Sequence, residues 1–270
     1  MKINSTPVYW TLFFLALLVL FAIVAYSFIE PREIIINDTQ AEMIALKISD
    51  NEDTREQLRL IRWPDEDEFS SLGIAPFFWH PHKAESAELN FNDLLEHLAL
   101  SHNLPEWLNE VTTPPWDSRE DFFSARHDAF KYQLRDFLQQ TKSDQVQYLI
   151  KNLEANLPRM LKEVKNPFAR MHAYENFYHV AVLENGVYAL LDYSVFMGNG
   201  LSSEDRHKNL GWGLVHVLEN MRGNAENLVQ AFASTAEVLL MRRIESLPND
   251  ERRHLIEWRR RINTYVPVSY

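Results

Sequence analysis

The chain has 270 residues, of which 46% are apolar and 24% charged, with a formal net charge of -11 and no cysteine. This is the composition of a folded protein, and it excludes collagen, coiled-coil and zinc-ribbon architectures. The acidic balance argues against a nucleic-acid partner, because nucleic-acid binders need a basic surface to release counterions from phosphates. Without cysteine the chain has no disulfide and no thiol chemistry.

A long uncharged stretch lies near the start of the chain, from residue 8 to residue 29. At ~1.5 Å rise per residue it would span about 33 Å as a helix, enough to cross a bilayer once. Lys2 and the amino terminus precede it, whereas Glu30, Arg32 and Glu33 follow it, and this weak charge bias predicts a cytoplasmic N-terminus. We therefore expect a single-pass inner-membrane protein with a periplasmic C-terminal domain. A cleaved signal peptide and a reversed topology are the alternatives.

The strength of the helical signals divides the rest of the chain into two regions. Residues 30–90 alternate short apolar pieces with acidic turns, which predicts a stalk or small subdomain. Residues 91–270 predict an all-α exported domain, because apolar positions recur at helical spacing and turn pairs between strands are missing. The expected fold class is therefore all-α. The first predicted helix is capped by Asn90 or Asn92. Further helices are predicted over about 119–140, 144–157 and 168–183, with a stop at Gly186 after the last of these. Three more are predicted over 213–221, 225–246 and 249–265.

Glycine is scarce, yet six of the seven glycines lie between Gly186 and Gly223. In a chain that otherwise avoids glycine, such a concentration indicates backbone with positive φ or close approach to another group. The start of a helix after Gly213 also offers unpaired N–H groups to a ligand. Within this block Asp192 has apolar neighbours in sequence, and partial burial would raise its pKa and suit it to acid or base chemistry. The alternative is a structural Asp192 that caps a helix or pairs with Arg206.

The stretch from about residue 122 to residue 265 resembles an uncharacterised family of exported or membrane-anchored bacterial envelope proteins. The motifs that carry the resemblance are an aspartate-tyrosine block, a glycine pair and a Gly-Trp-Gly-Leu segment, here Asp192-Tyr193, Gly198-Asn199-Gly200 and Gly211-Trp212-Gly213-Leu214. The family pattern has glutamate between the two glycines and glutamine in place of His216. The resemblance implies no particular activity. If the missing glutamate is catalytic, it implies an inactive member.

The segment from Gly211 to His216 is also similar to the Gly-Leu-Met-Gln segment of lysozyme-like lytic transglycosylases, which are α-helical exported enzymes acting on cell-wall glycan. The catalytic glutamate of that group has no counterpart at the expected place, and Glu175 is the nearest alternative. The similarity then implies Glu175 and Asp192 as general acid and stabilising base. The expected ligand-binding residues are Tyr178, Tyr193, Asn199, Arg206, Trp212 and His216, with the aromatic rings stacking on sugar faces.

Two functions remain open at this stage. The first is a domain that binds, or also cleaves, the glycan of peptidoglycan. The second is a non-enzymatic envelope component that docks onto a membrane protein complex. The expected partners are the membrane through residues 8–29 and peptidoglycan or envelope proteins, with no nucleic acid. No cofactor and no metal site are expected, because nucleotide-binding, hydrolase-triad and zincin motifs are all missing from the sequence.

Overall fold

The computed structural model describes residues 32–52, 60–65, 67–80, 89–207, 210–224, 227–246 and 254–267, together with Phe13, Leu15 and Ala16. The chain forms two compact units, Met1–Glu33 and Ile34–Tyr270. Only a few residues of the first unit are described. All the helices and strands below belong to the second unit.

The predicted localisation requires a correction. Among the described residues, no helix combines the length and the apolar character needed to cross a membrane, and this finding contradicts a single-pass inner-membrane protein. The stretch 8–29, from which the anchor was predicted, lies outside the described residues except for Phe13, Leu15 and Ala16.

The second unit is mostly helical, with short strands near its beginning and within the glycine-rich block. Its helices are α1 Asp38–Glu52, α2 Phe91–Ser101, α3 Glu106–Asn109, α4 Arg119–Phe122, α5 Asp128–Gln140, α6 Lys142–Glu163, α7 Pro167–Ala181, α8 Gly186–Met197, α9 Leu214–Asn220, α10 Leu228–Ser246 and α11 Leu255–Asn263. Its strands are β1 Ile61–Arg62, β2 Ser70–Leu72, β3 Phe77–Trp79, β4 Arg206–His207 and β5 Leu210–Gly211. Two short 3₁₀ turns, Ala125–His127 and Ser203–Asp205, complete the described elements.

The predicted all-α fold class is wrong, because β1, β2 and β3 form an antiparallel sheet in that order and β4 pairs with β5. Each strand has only two or three residues, which is too short for the alternating pattern that identifies a strand in a sequence. The hairpin between β2 and β3 turns at Gly73, whose φ is 81°. Gln145 of α6 stabilises this turn, because its buried side-chain oxygen accepts a hydrogen bond from the backbone N–H of Ile74 at 2.9 Å.

Helix α8 lies at the centre of the unit, in contact with α1, α6, α7 and α9. Its residues are apolar on nearly every face, as expected for a helix surrounded by protein. The predicted stop at Gly186 is wrong, since α7 ends at Ala181 and Gly186 begins α8. Asn185, with φ of 61°, makes the reversal between the two helices. Gly186 is needed for close packing, because a Cβ there would lie 1.7 Å from the carbonyl oxygen of Val180.

Side-chain caps confirm several predicted helix starts. The Asn90 side chain accepts a hydrogen bond from the N–H of Asn92 at the start of α2, and Asn166 accepts two at the start of α7. The predicted helix from 119 to 140 is interrupted after α4. There the Ser124 side chain accepts a hydrogen bond from the N–H of Arg126 and starts a separate turn, a local alternative to continuing the helix.

Candidate functional site

A groove of about 850 Å³ runs between α6, the second half of α8 and the loop 198–205. Pocket volumes of this order suit small-molecule or oligomeric ligands. We call it the polar groove, and its wall consists of Pro76, Phe78, Leu89, Asp93, Leu149, Asn152, Leu153, Asn156, Arg159, Leu191, Ser194, Val195, Gly198, Asn199, Leu201, Ser202 and Asp205. It therefore combines an apolar strip with a series of polar groups.

Helix α6 supplies the main polar row of this groove. Asn152, Asn156 and Arg159 stand four and three residues apart and so share one helix face. The Asn156 amide donates to the Asn152 side-chain oxygen at 3.1 Å, and Arg159 donates to the Asn156 side-chain oxygen at 3.1 Å. Leu149 and Leu153 form the neighbouring stripe of the same helix. The row is thus held in position by its own hydrogen bonds beside an apolar surface.

The opposite wall begins where α8 ends. Ser194 of α8 donates a hydrogen bond of 2.5 Å to the side-chain oxygen of Asn199, which is buried yet lines the groove. Gly198 and Gly200 both have positive φ, 77° and 89°, so the chain reverses tightly on either side of Asn199. The glycine pair therefore fixes Asn199 at the groove wall.

Asp205 holds this loop closed. Its carboxylate accepts hydrogen bonds from the backbone N–H groups of Gly200 at 2.9 Å and Ser202 at 3.3 Å. Burial raises the pKa of Asp205 above its ordinary value, while these two hydrogen bonds act in the opposite direction. A Cβ at Gly198 would lie 2.4 Å from a carboxylate oxygen of Asp205. The glycine is therefore required for this contact.

The other predicted ligand-binding residues of the block lie outside the polar groove. Arg206 donates to the carbonyl of Gly200 at 2.7 Å and forms an ion pair with Glu163 at 3.1 Å. Tyr193 is buried, donates to the carbonyl oxygen of Trp212 at 2.7 Å, and has a pKa raised by burial. Trp212 is buried under the Arg243 guanidinium, 5.5 Å from its ring centroid. These residues support the loop rather than line the groove.

His216 of α9 packs beneath the same loop. A Cβ at Gly211 would lie 2.0 Å from its Nε2 atom, so this glycine leaves room for the imidazole ring. Burial lowers the pKa of His216, and the charge of Arg206 lowers it further, whereas Glu163 raises it.

This lowered pKa predicts acid sensitivity. The neutral His216 contributes stability that is fully present above its unfolded pKa, about 6.5, and that is lost as the pH falls below that value. We expect His216→Gln to lose less stability than the unchanged chain when the pH falls from about 7 to about 5. Urea unfolding across that range measures the difference. His179→Gln is the matched control, since the His179 side chain is 56% exposed, and equal acid sensitivity in both variants would contradict the prediction.

Asp192, predicted as a catalytic partner, lies in a buried ionic cluster. Its side chain has 0% exposure and accepts hydrogen bonds from Arg261 at 2.8 and 2.9 Å, from the Tyr265 hydroxyl at 2.7 Å and from the Asn51 amide at 3.0 Å. Both carboxylate oxygens are therefore occupied. Of the two sequence alternatives, the geometry fits the structural one, with Arg261 rather than Arg206 as the partner. Asp192 faces away from the polar groove because Leu191, Ser194 and Val195 occupy the groove side of α8.

The cluster extends to the buried Arg62 of β1. Arg261 also binds Glu52 of α1 at 2.7 Å, and Glu52 binds Arg62 at 3.0 Å. Burial by itself would lower the pKa of Arg261, but the charges of Asp192 and Glu52 raise it. The Asn51 side-chain amide donates a hydrogen bond to the Tyr188 hydroxyl. Burial, and to a smaller extent the negative charge of Asp192, raises the pKa of Tyr188 to about 12. We call Asn51, Glu52, Arg62, Tyr188, Asp192, Arg261 and Tyr265 the ionic cluster.

Glu175, the other predicted catalytic residue, lies in a different place. It lines a cavity of about 370 Å³ with His172 and His179, and the His179 ring is 3.5 Å from its carboxylate. Tyr178 packs edge-on against Tyr174 and Phe177 on the same helix, α7. Asp192 does not line this cavity.

Of the eight predicted site residues, one, Asn199, lies in the wall of the polar groove, and the other seven do not. The row on α6 was missed, although the sequence carries a signal for it. Once Leu149 and Leu153 are placed inward on a helix, Asn152, Asn156 and Arg159 fall on the adjoining face at fixed spacing. Among the described residues, no group of three or more His, Asp or Glu side chains is placed to hold a metal ion.

Comparison of the chain with protein-family models, curated proteins and solved structures gives no match. The resemblance to an exported envelope family and the similarity to lysozyme-like lytic transglycosylases therefore stay predictions.

Proposed function

We propose that the chain binds an N-acetylated glycan, such as the sugar backbone of peptidoglycan, in the polar groove. The observation that carries the proposal is the hydrogen-bonded row of Asn152, Asn156 and Arg159 beside the apolar strip. Planar amide and guanidinium groups offer paired donors and acceptors that suit the hydroxyl and acetamido groups of sugars. The partly exposed side chains of Phe78, Leu89 and Leu201 offer a surface for the C–H faces of the rings.

The charges of the groove agree with a ligand that is mostly uncharged. Its ionisable side chains are Asp93, Arg159 and Asp205. Asp205 is engaged by two backbone N–H groups, so it presents little unbalanced charge to a ligand. Serine and asparagine side chains provide the remaining polar contacts. A ligand with many hydroxyl groups would meet donors and acceptors on both walls.

The proposal is for binding without cleavage. Glycoside hydrolysis needs two carboxyl groups that flank one bond at about 5 to 9.5 Å. Glu175 and Asp192 lie in separate surroundings, and the oxygens of Asp192 are occupied by Arg261, Tyr265 and Asn51. The residues first assigned to acid and base catalysis therefore cannot act together on one glycosidic bond in this arrangement.

The test is calorimetric titration of the full chain with N-acetylglucosamine oligomers, followed by sedimentation with purified sacculi. We expect saturable binding, with Arg159→Ala and Asn156→Ala each weakening it about tenfold, the effect of losing one or two hydrogen bonds. Arg260→Ala is the matched control, because Arg260 is exposed on α11 outside the groove. Release of new reducing ends is not expected.

Three results would contradict the proposal: no binding to either probe, equal affinities for all variants, or a loss with Arg260→Ala as large as with Arg159→Ala. Capture of defined envelope proteins without any glycan binding would favour the other candidate, a component that docks onto a protein complex.

A further inference from the structure

The outward side of α7 carries an exposed apolar stripe. Phe168, Met171 and Val182 have 79%, 61% and 81% of their surface exposed. Together with Glu175 and His179 they stand three or four residues apart, so they follow one side of the helix and of the turn that ends it. The opposite side of α7 is buried against the rest of the unit. Because a helix that is apolar on both sides is normally covered on both, the stripe indicates an interaction surface.

Two adjoining cavities lie along this stripe. The larger, of about 370 Å³, lies toward the end of α7, where Val182 and Leu228 give it apolar walls. The smaller, of about 310 Å³, lies at the start of α7 beside Phe168 and Arg222. His172 lines both cavities, so they form one continuous surface with the stripe, which we call the α7 face. The α7 face therefore has an exposed aromatic ring at one end and an apolar cavity at the other.

The two ends of the α7 face also differ in charge. Lys165 and Arg222 are exposed at the start of α7, and neither forms an ion pair within the part of the chain that the structure describes. Glu175 lies in the second half of the helix, and Glu184 is exposed in the turn that follows it. Lys47 reaches the same turn, but its ammonium is part-buried and donates to a side-chain oxygen there at 2.7 Å. The start of the face is therefore basic and its end acidic.

We propose that the α7 face binds the α7 face of a second copy of the chain, with the two helices antiparallel and related by a two-fold axis. A two-fold interface uses the same surface on both copies, so that surface has to be complementary to itself. In the antiparallel arrangement Phe168 of each copy packs over the apolar cavity beside Val182 of the other. Lys165 and Arg222 of each copy lie opposite Glu184 of the other. A surface of a single charge sign would suit only one end of the face.

Sedimentation velocity of the full chain over a range of concentrations, without glycan, measures the association. We expect a reversible dimer. Phe168→Glu should weaken it at least about tenfold, because the change removes an aromatic contact and places a carboxylate opposite Glu184. Leu100→Glu is the matched control, since Leu100 is 81% exposed on α2 and lines neither cavity of the α7 face. Both positions are exposed, so neither change should affect folding.

Charge reversal tests the direction of the pairing. Glu184→Lys, and separately the double variant Lys165→Glu with Arg222→Glu, should each dimerise several-fold more weakly than the unchanged chain at low salt, and the difference should shrink at high salt. An equimolar mixture of the two should dimerise as the unchanged chain does, because opposite charges then meet at both ends. Loss in each variant alone, followed by recovery on mixing, is expected only if the start of one helix meets the end of the other.

Several results would overturn the pairing. A chain that stays monomeric at every concentration lacks this interface, and dimerisation unchanged by Phe168→Glu, or weakened equally by Leu100→Glu, would place the contact elsewhere. A monomer that sediments with phosphatidylglycerol vesicles, and no longer does so as Phe168→Glu, would assign the face to a membrane.

The pairing and the glycan proposal can fail separately, because the α7 face and the polar groove share no lining residue. Phe168→Glu should bind N-acetylglucosamine oligomers as the unchanged chain does. Arg159→Ala should dimerise normally.

Discussion

Replacing Asp192 with asparagine is expected to lower the free energy of unfolding by about 3 to 5 kcal/mol, the usual cost of removing one partner from a buried ion pair. The carboxylate is fully buried and receives two hydrogen bonds from Arg261 and one from Tyr265. An amide of the same shape would leave the Arg261 guanidinium with the half-buried Glu52 as its remaining counter-charge. Urea unfolding at neutral pH measures the difference.

Asp136→Asn provides the control, because Asp136 is exposed on α5 and its loss should change stability by no more than about 0.5 kcal/mol. If Asp192→Asn unfolds at the same urea concentration as Asp136→Asn, the ionic cluster does not contribute to stability as described. Glycan binding gives a second measurement. Any Asp192→Asn protein that remains folded at low temperature should bind the N-acetylglucosamine oligomers normally, because Asp192 does not line the polar groove.

The second large effect is expected for Gly213→Ala, which should destabilise the fold by about 1 to 3 kcal/mol or more. A Cβ at this position would lie 2.3 Å from the backbone nitrogen of Gly200 and 2.5 Å from its Cα. Both atoms belong to the main chain of the tight loop, so no side chain can move aside. Thermal unfolding of the variant would report the loss directly.

Gly211→Ala provides a comparison. The three atoms nearest to its Cβ would all belong to the His216 ring, and none of them to the main chain. The double variant Gly211→Ala with His216→Ala should recover much of the lost stability, a strong non-additivity between the two sites. Gly213→Ala should gain nothing from His216→Ala. Equal rescue of both glycine variants would mean that the contacts beneath the loop differ from those described.

The sequence predicted those parts of the fold that depend on local chemistry. Asn90 and Asn166 cap their helices because a short side-chain oxygen next to an apolar repeat is a local signal. The small sheet was missed because its strands are stabilised by distant partners, such as Gln145 at the β2 to β3 turn. Gly186 was assigned to a helix end because glycine commonly ends helices, whereas here it permits α7 and α8 to approach closely.

The candidate site shows the same division. The glycine-rich block drew attention to Asn199, which does reach the polar groove. Nothing local indicates that Asp192 meets Arg261, because the two residues are 69 positions apart and only the packing of α11 against the unit joins them. A half-buried carboxylate in an apolar sequence therefore suggested catalysis, when its surroundings provide an arginine, a tyrosine and an asparagine.

The ionic cluster also has a consequence for synthesis. Because Arg261 follows Asp192 by 69 residues, a ribosome adding 5 to 20 residues per second needs roughly 3 to 14 seconds between the two. During that interval the Asp192 carboxylate lacks its Arg261 partner, so α8 cannot yet pack against its neighbours with its full native stability. Folding of this unit is therefore expected to be completed only after Arg261 has been synthesised and α11 can pack against α8.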